Sequence, residues 1–321
     1  MIVNPYTNTI GKIKSSLETK HPVAFEKYIL PYSFILFDRL FNRTSKKRAN
    51  EYLSQSQYPL FQTIEIETIN RCNGTCSFCP INHNIDPRPF KLMDRELFVS
   101  IINQLKDIDY SGSIGLYSNN EPLLDKRIFE FLKLTRESLP KAKLYLFTNG
   151  SLLTVDKFEE IMKYLDWITI DNYNDNLILN DRVKEIYEYA LSKPYQNKIH
   201  IYLRKENEIL TNRSGQAKNR TKKKHKLKSV CLYPFEQVVI RPDGKLSLCC
   251  NDATGKVTMG DLTKDTLINI WNNDKYCTTR KNMLKDRSLN YLCKDCDLVT
   301  PKVPKGSSFK FKNIIKMITH K

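Results

Sequence analysis

Three cysteines with C-x3-C-x2-C spacing, Cys72, Cys76 and Cys79, constrain this 321-residue chain more than any other feature. They follow residues 63–68, where polar and apolar residues alternate as in a β-strand with one buried face. Gly74 allows the loop that carries them to curl tightly. Three thiols on one tight loop can ligate three irons of a [4Fe–4S] cluster and leave the fourth iron open to another ligand.

Two other interpretations of these cysteines stay open from the spacing alone. Zinc usually takes four ligands, often from paired C-x2-C motifs, and His83 is a candidate for the fourth ligand here. The thiols could instead be buried and unreactive. A trio without a second pair close by favours the cluster.

The loop resembles the signature of the radical S-adenosylmethionine (SAM) enzymes, including the aromatic residue before the third cysteine, here Phe78. The resemblance implies that SAM binds the open iron through its amino and carboxylate groups. It further implies that an electron from the cluster cleaves SAM to a 5'-deoxyadenosyl radical, and that Phe78 lies beside the adenine.

Strand-like and helix-like stretches alternate between residues 61 and 205. Strands are predicted at 63–68, 113–118, 143–148, 167–171 and 198–203. Asp94, Asp125 and Thr154 are placed to cap helices between them. This order predicts an α/β fold with a parallel sheet, in which loops after the strands form the site. The family resemblance implies a partial (β/α)6, TIM-like barrel.

Further loops resemble SAM-binding elements of the family. Residues 119–122 read Asn-Asn-Glu-Pro where the family usually has Gly-Gly-Glu-Pro, so the resemblance implies that Asn120 and Glu121 bind the SAM amino group. It assigns Asn149 to the ribose or methionine moiety and Arg204 to the SAM carboxylate, which a guanidinium would suit. By itself, the Asn149 stretch is a turn signal, and Arg204 is an ordinary strand-end arginine.

Residues 212–215 read Asn-Arg-Ser-Gly and are similar to NRxG stretches in relatives that act on sugars and aminocyclitols. The resemblance makes Arg213 a candidate for substrate contact or for handling a hydroxyl proton. In isolation it would be one more loop arginine.

A second set of six cysteines fills the C-terminal third. A predicted hairpin turning at 242–244 brings Cys249 back toward Cys231, and Cys293 and Cys296 form a C-x2-C pair. Four such thiolates could bind an iron–sulfur cluster or zinc. The pattern resembles the auxiliary-cluster module called SPASM in its shortened twitch form. It thus implies a small C-terminal Cys-rich domain in which these four cysteines hold one auxiliary [4Fe–4S] cluster.

The net charge of +17 is concentrated in three segments. Residues 1–60 carry +5, residues 218–228 carry +7 and residues 301–321 carry +6, which leaves −1 for the remainder. These segments are either solvated basic stretches or contacts for an anionic substrate or lipid surface. Interleaved aromatic residues and nucleic-acid motifs are missing, so no nucleic-acid partner is expected.

Nine cysteines without a secretory signal predict a reducing, cytoplasmic location, with peripheral membrane contact as a further hypothesis. The N-terminal stretch reads as helices that either pack on the catalytic body or lie at a membrane interface. The predicted division is an N-terminal helical extension (1–60), a radical SAM partial barrel (61–217), a basic linker (218–228), a SPASM/twitch domain (229–300) and a basic tail (301–321).

The resemblance therefore implies a radical SAM oxidoreductase or epimerase acting on a sugar or aminocyclitol, with a reductant such as flavodoxin or ferredoxin. The auxiliary cluster would accept the substrate electron in a dehydrogenase, whereas Cys250 would return a hydrogen atom in an epimerase. Cys250 is equally well explained as a buried neighbour of a ligand. A peptide- or protein-modifying maturase and a non-catalytic zinc or iron–sulfur scaffold are the alternatives.

Overall fold

The structure, a computed structural model, describes residues 2–4, 12–13, 16–17, 20–21, 24–55, 58–220 and 226–299. The predicted basic tail lies outside the described residues, as do residues 221–225 of the predicted linker and parts of the N-terminal extension.

A nine-stranded sheet runs through the described part of the chain in the order β1-β6-β5-β4-β3-β2-β7-β8-β9. Its strands are β1 (Ile2–Val3), β2 (Thr63–Ile66), β3 (Ser113–Gly115), β4 (Lys143–Thr148), β5 (Trp167–Tyr173), β6 (Ile199–Arg204), β7 (Gln237–Ile240), β8 (Lys245–Ser247) and β9 (Thr258–Asp261). The helices are α1 (Leu30–Leu53), α2 (Arg95–Asp107), α3 (Ile128–Ser138), α4 (Val155–Met162), α5 (Asp181–Leu191), α6 (Tyr233–Glu236), α7 (Leu267–Trp271) and α8 (Asp274–Lys285).

Strands β2 to β6 pair in chain order and in parallel, which confirms the predicted α/β fold. The helices between them bury residues at helical spacing, so each covers the sheet with one apolar face. Helix α2, for example, buries Phe98, Ile101, Ile102 and Leu105.

The three predicted helix caps differ in outcome. The Thr154 side chain accepts a hydrogen bond from the Lys157 amide and caps α4 as expected. Asp94 occupies the cap position of α2 but makes no side-chain cap hydrogen bond. Asp125 lies before the start of α3, where Arg127 is the cap residue. Its carboxylate accepts the Arg127 amide at 3.0 Å and pairs with the Arg127 guanidinium at 2.8 Å, and the bond to the charged guanidinium is the stronger of the two.

The C-terminal hairpin continues the barrel sheet. Strand β7 pairs with β2 in parallel, over the register from Thr63 opposite Gln237 to Ile66 opposite Ile240. Strands β8 and β9 then add in antiparallel fashion. The two predicted modules therefore share one set of backbone hydrogen bonds.

Helix α1 packs against the start of the C-terminal module. The Asp38 carboxylate accepts the amides of Lys228 and Ser229 at 2.8 and 2.7 Å. Arg48 pairs with the buried Glu236 at 2.8 Å. Within the described residues, no helix combines the length and apolar character needed to cross a bilayer.

Candidate active site

The first three cysteines lie on a loop that curls around their own sulfur atoms. The Gly74 amide donates to the Cys72 Sγ at 3.3 Å. A Cβ added at Gly74 would lie 3.4 Å from the Cys72 Sγ and 3.9 Å from the Cys76 Sγ. The Cys79 amide closes a turn on the Cys76 carbonyl at 3.1 Å. The loop thus brings the three thiols to one wall of a cavity.

The chemistry of these thiols fits a cluster. Burial, with a smaller effect from neighbouring thiols, raises the pKa of Cys72 and Cys76 to about 12. Such thiolates form readily only beside added positive charge, which an iron–sulfur cluster provides. Among the described residues, no three His, Cys, Asp or Glu groups converge tightly enough for a single metal ion. A cube with irons at separate corners takes more widely spaced thiolates.

The cavity has a volume of about 280 Å³ and opens beside the three cysteines. Six of the predicted site residues line it together, namely Phe78, Asn120, Glu121, Asn149, Arg204 and Arg213. Cys250 is absent from its described lining, although the charges of Arg213 and Glu65 act on this thiol. The strand-end loops therefore meet as the parallel sheet requires.

Glu121 organises the loops behind the cavity. Its carboxylate accepts the Thr148 hydroxyl at 2.7 Å, the Asn149 amide at 2.8 Å and the Leu123 amide at 3.2 Å. Burial raises its pKa, although these hydrogen bonds act in the opposite direction. Both carboxylate oxygens are thus used to hold the loops together.

Asn120 has donor capacity to spare. Its Oδ1 accepts the Ser118 amide at 2.9 Å. Its Nδ2 is buried without a hydrogen-bond partner among the described residues. Because a buried orphan donor is costly, this nitrogen in the cavity wall fits a polar ligand such as SAM.

Two aromatic side chains form the adjoining wall. The Phe78 and Tyr173 rings lie 5.8 Å apart between centroids and tilt by 44°. Both line the cavity, and their apolar faces suit a flat ring such as adenine.

Arg204 reaches the cavity already paired with carboxylates. Its Nε donates to Asp171 at 3.1 Å and its Nη1 to Glu208 at 3.4 Å. Burial lowers the pKa of Arg204, but the charges of these two carboxylates outweigh it and leave the pKa raised. Arg204, which is predicted to bind the SAM carboxylate, is therefore already paired with two carboxylates of the protein itself.

Arg213 lies on a strained turn between the two modules. Arg213, Ser214 and Gly215 have φ values of 49°, 56° and 77°, all in the left-handed region. Such conformations cost about 1–3 kcal/mol for each non-glycine residue and are typical of functional sites. The Arg213 guanidinium donates to the Asn119 Oδ1 at 2.8 Å and to the Asn251 Oδ1 at 3.5 Å.

Asn119 explains one departure from the family pattern. Besides accepting from Arg213, its side chain donates to the Cys250 carbonyl at 3.1 Å. A glycine at this position would have no side chain to make either bond. The asparagine therefore ties the barrel loop to the C-terminal module.

The second set of thiols gathers at the base of the C-terminal module. Cys231, Cys249, Cys293 and Cys296 are all buried. Burial raises the pKa of Cys249 well above its usual value, and the charges of the other three and of Cys250 add to this. Four buried thiols that lie near enough to act on one another's charge fit an auxiliary cluster. The choice of Cys249 over Cys250 as the ligand stays a prediction.

A buried carboxyl, which the sequence reasoning missed, lies between the two modules. Glu65 accepts the Ser118 hydroxyl at 2.6 Å and the Gln237 amide at 2.8 Å. Burial raises the pKa of Glu65 to about 7, despite these hydrogen bonds and the charge of Arg213. The strand alternation that predicted β2 also places Glu65 and Glu67 inside the barrel, and that was the available signal.

Comparisons with known proteins agree with this geometry. The model of the radical SAM superfamily matches residues 66–192, and that of an iron–sulfur cluster-binding domain, SPASM, matches residues 231–297. An S-adenosyl-L-methionine-dependent 2-deoxy-scyllo-inosamine dehydrogenase from Niallia circulans is 30% identical over 245 residues, which cover 75% of this chain and 94% of that protein.

Two more similarities extend the comparison. An S-adenosylmethionine-dependent nucleotide dehydratase from Flammeovirga pacifica is 28% identical over 42% of this chain and 51% of its own length. The crystal structure of BtrN in complex with AdoMet and 2-DOIA superposes with a TM-score of 0.66. It covers 76% of this chain and 96% of that one at 26% identity.

Proposed function

This chain belongs to the radical SAM superfamily and carries a SPASM iron–sulfur domain, and from that premise we propose that it oxidises a secondary alcohol of a sugar or aminocyclitol to a ketone. Its cofactors are a SAM-binding [4Fe–4S] cluster, SAM and an auxiliary iron–sulfur cluster. We assign Cys72, Cys76 and Cys79 to the first cluster. Cys231, Cys249, Cys293 and Cys296 are assigned to the second.

The observation that carries the proposal is one cavity that the first set of thiols lines and that side-chain hydrogen bonds connect to the neighbourhood of the second set. The first set lines the cavity directly. On another side the cavity meets Asn119 and Arg213, whose side chains bond to Cys250 and Asn251 beside the second set. Bound at these places, the clusters and SAM supply a carbon-centred radical and an acceptor for one electron. A substrate in this cavity would have both within reach.

The chain's own residues would handle the hydroxyl proton. Oxidation of an alcohol to a ketone removes a hydrogen atom from carbon, a proton from oxygen and one electron. Ser118 lines the cavity and donates to Glu65. The serine can therefore take the substrate proton as its own passes to the carboxylate. A pKa of about 7 for Glu65 suits a general base at neutral pH.

Arg213 would orient the substrate hydroxyl. Its strained backbone fixes the guanidinium at the cavity wall, and its donors are directed across the gap between modules. A donor held this way positions a hydroxyl oxygen without moving during the reaction.

The similarity to the inosamine dehydrogenase, which spans nearly all of that relative, supports this substrate class. Epimerisation through Cys250 is less well supported. The Cys250 carbonyl is held by Asn119, and the residue is not part of the described cavity lining.

The test uses protein purified and reconstituted without air. We expect about eight irons per chain, reductant-dependent formation of 5'-deoxyadenosine, and a ketone from 2-deoxy-scyllo-inosamine or another member of a panel of aminocyclitols and sugar nucleotides. Arg213→Lys serves as the charge-matched control for Arg213→Ala. Protein with both clusters loaded that leaves SAM intact, or that holds zinc instead, would contradict the proposal.

Partners beyond the substrate remain proposals. Flavodoxin or ferredoxin is the expected reductant. On α1, the exposed Tyr32 and Leu36 precede the exposed Lys46 and Lys47, which suits contact with anionic lipid. Co-sedimentation with phosphatidylserine vesicles that weakens with salt is the expected result. Binding that is equal on neutral vesicles would exclude an electrostatic contact.

A further inference from the structure

A buried arginine lies beside the second set of thiols. Arg287 begins a short 3-10 helix, Arg287–Leu289, between α8 and the loop of Cys293 and Cys296. Only 3% of its surface is exposed. A fully buried arginine is rare unless its charge is matched, so its surroundings indicate its purpose.

Its hydrogen bonds join the two segments that carry the predicted ligands. Nη1 donates to the Ser229 carbonyl at 3.4 Å, and both Nη1 and Nη2 donate to the Leu298 carbonyl at 3.2 Å. Ser229 lies two residues before Cys231, and Leu298 lies two residues after Cys296. The guanidinium therefore sits where both segments meet.

Its charge is not cancelled by a bonded carboxylate. In the described part of the chain, no Asp or Glu oxygen forms an ion pair with Arg287. The buried Asp38 is near enough to act on its charge, but the Asp38 oxygens accept the amides of Lys228 and Ser229. What remains opposite the guanidinium is the thiol set.

The backbone of Leu298 links the guanidinium to one predicted ligand. Its carbonyl accepts from Arg287 at 3.2 Å, and its amide donates to the Cys296 Sγ at 3.4 Å. The charges of Cys296, Cys231 and Cys293 also act on the guanidinium. Cation and thiols thus interact across a low-dielectric interior, where charges are weakly screened.

We propose that Arg287 raises the reduction potential of the auxiliary cluster. Net charge and burial are among the features that set such potentials. Reduction adds one negative charge, and a buried cation stabilises the more negative state. On the proposed function, this makes the cluster a better acceptor of the substrate electron.

A purely structural role is the competing explanation, and Arg280 provides a matched control. Arg280 is 1% exposed, donates through its Nε to the Pro234 carbonyl at 2.9 Å, and lies 4.0 Å from the Trp271 ring. The groups that act on its charge are Tyr276, Cys277 and Tyr58, none of which is a predicted ligand. Replacing Arg280 therefore removes a buried arginine but leaves the positive charge beside the predicted ligands in place.

The experiment is a redox titration of the full reconstituted chain, followed by electron paramagnetic resonance of both clusters. Arg287→Gln, which keeps a donor for the Leu298 carbonyl, should shift the auxiliary midpoint to more negative potential. The expected shift is at least about 59 mV, which is a tenfold change in a one-electron equilibrium. Arg287→Lys should keep most of the wild-type value. The midpoint potential of the first cluster should not change in either variant, and Arg280→Gln should leave the midpoint potentials of both clusters unchanged.

An unchanged auxiliary midpoint in Arg287→Gln, or equal shifts in both clusters, overturns the proposal. If Arg287→Gln fails to load the second cluster, Asp38→Asn provides the decision. Loss of that nearby negative charge should shift the auxiliary midpoint upward, and no upward shift also overturns the proposal. Wild-type protein with only about four irons would reject the ligand assignment itself, and that failure is distinct from an unshifted midpoint in fully loaded protein.

Discussion

Replacement of Glu65 by glutamine tests the buried carboxyl between the modules. Burial raises the pKa of Glu65 from 4.5 to about 7. Each pH unit between these values is worth about 1.36 kcal/mol, so the ionised carboxylate costs the folded state about 3 kcal/mol above pH 7. The contribution of the Glu65 proton to the free energy of unfolding is complete below pH 4.5 and is lost as the pH rises through 7, because the folded state binds this proton more tightly than the unfolded state does.

The amide introduced by Glu65→Gln would hold no titrating proton and would keep an oxygen for the Gln237 amide, while the Ser118 hydroxyl can turn to accept. The variant should therefore lose less stability than wild type between about pH 4.5 and about pH 7. Melting temperatures of the reconstituted protein, followed by circular dichroism without air, measure this difference. Glu96→Gln, at an exposed carboxylate in the first turn of α2, is the control and should behave as wild type.

Infrared difference spectra supply the direct measurement. The protonated-carboxyl band of Glu65 should disappear with a midpoint near pH 7 and be missing in Glu65→Gln. With a substrate in hand, turnover by wild type should rise over the same range, and the variant should lose that rise. A band that titrates near pH 4.5, the ordinary value for a glutamate, or the same pH dependence of melting in both proteins, would refute the reasoning.

Other substitutions separate the two thiol sets. Cys72→Ala should halve the iron content and abolish SAM cleavage while the auxiliary signal persists; retained cleavage would contradict the assignment. Cys231→Ala should do the reverse, with 5'-deoxyadenosine formed but no ketone released. Cys250→Ala should keep ketone formation, whereas solvent deuterium found in wild-type product and lost in the variant would indicate epimerisation. Gly260→Ala would place a Cβ 2.4 Å from the Ile270 Cγ2. It should cost about 1–3 kcal/mol, seen as a lower melting temperature, and unchanged melting would show that the contact relaxes freely.

Local patterns predicted the strands and helices of the barrel well because the spacing of apolar residues within each element shows which of its faces is buried. The alternation in 63–68 and the helical spacing after Asp94 are both properties of a few consecutive residues. The Thr154 cap was readable for the same reason. Asp125 was predicted to be the cap, but Arg127 occupies that position, and the Asp125 carboxylate binds both the amide and the guanidinium of Arg127.

The candidate site was predictable to the extent that its residues lie directly after strands. Phe78, Glu121, Asn149 and Arg204 come together because parallel strands end at one edge. Ser118 and Gln237 carry no such signal, since their role depends on which strands become neighbours. Pairings between residues 53 or 172 positions apart, as in the two bonds to Glu65, cannot be read from local periodicity.

The helix α1 shows the same limit in another form. Its helical character was predicted, with packing on the catalytic body and a membrane interface as the two alternatives. In the structure, Asp38 holds the segment that leads into Cys231, and Arg48 pairs with Glu236, which follows that cysteine. A surface polar residue and one that holds a distant backbone amide look alike in a sequence.

The pairing of β7 with β2 limits how this protein can be rebuilt. A truncated barrel ending before Cys231 would leave the flank of β2 bare, and an unpaired flank recruits other chains into aggregates. A chimaera that grafts a foreign cluster module must therefore supply a matching strand at residues 237–240. The same backbone ladder joins the strand that leads into Cys72 to the strand between Cys231 and Cys249, so both thiol sets belong to segments of one continuous sheet.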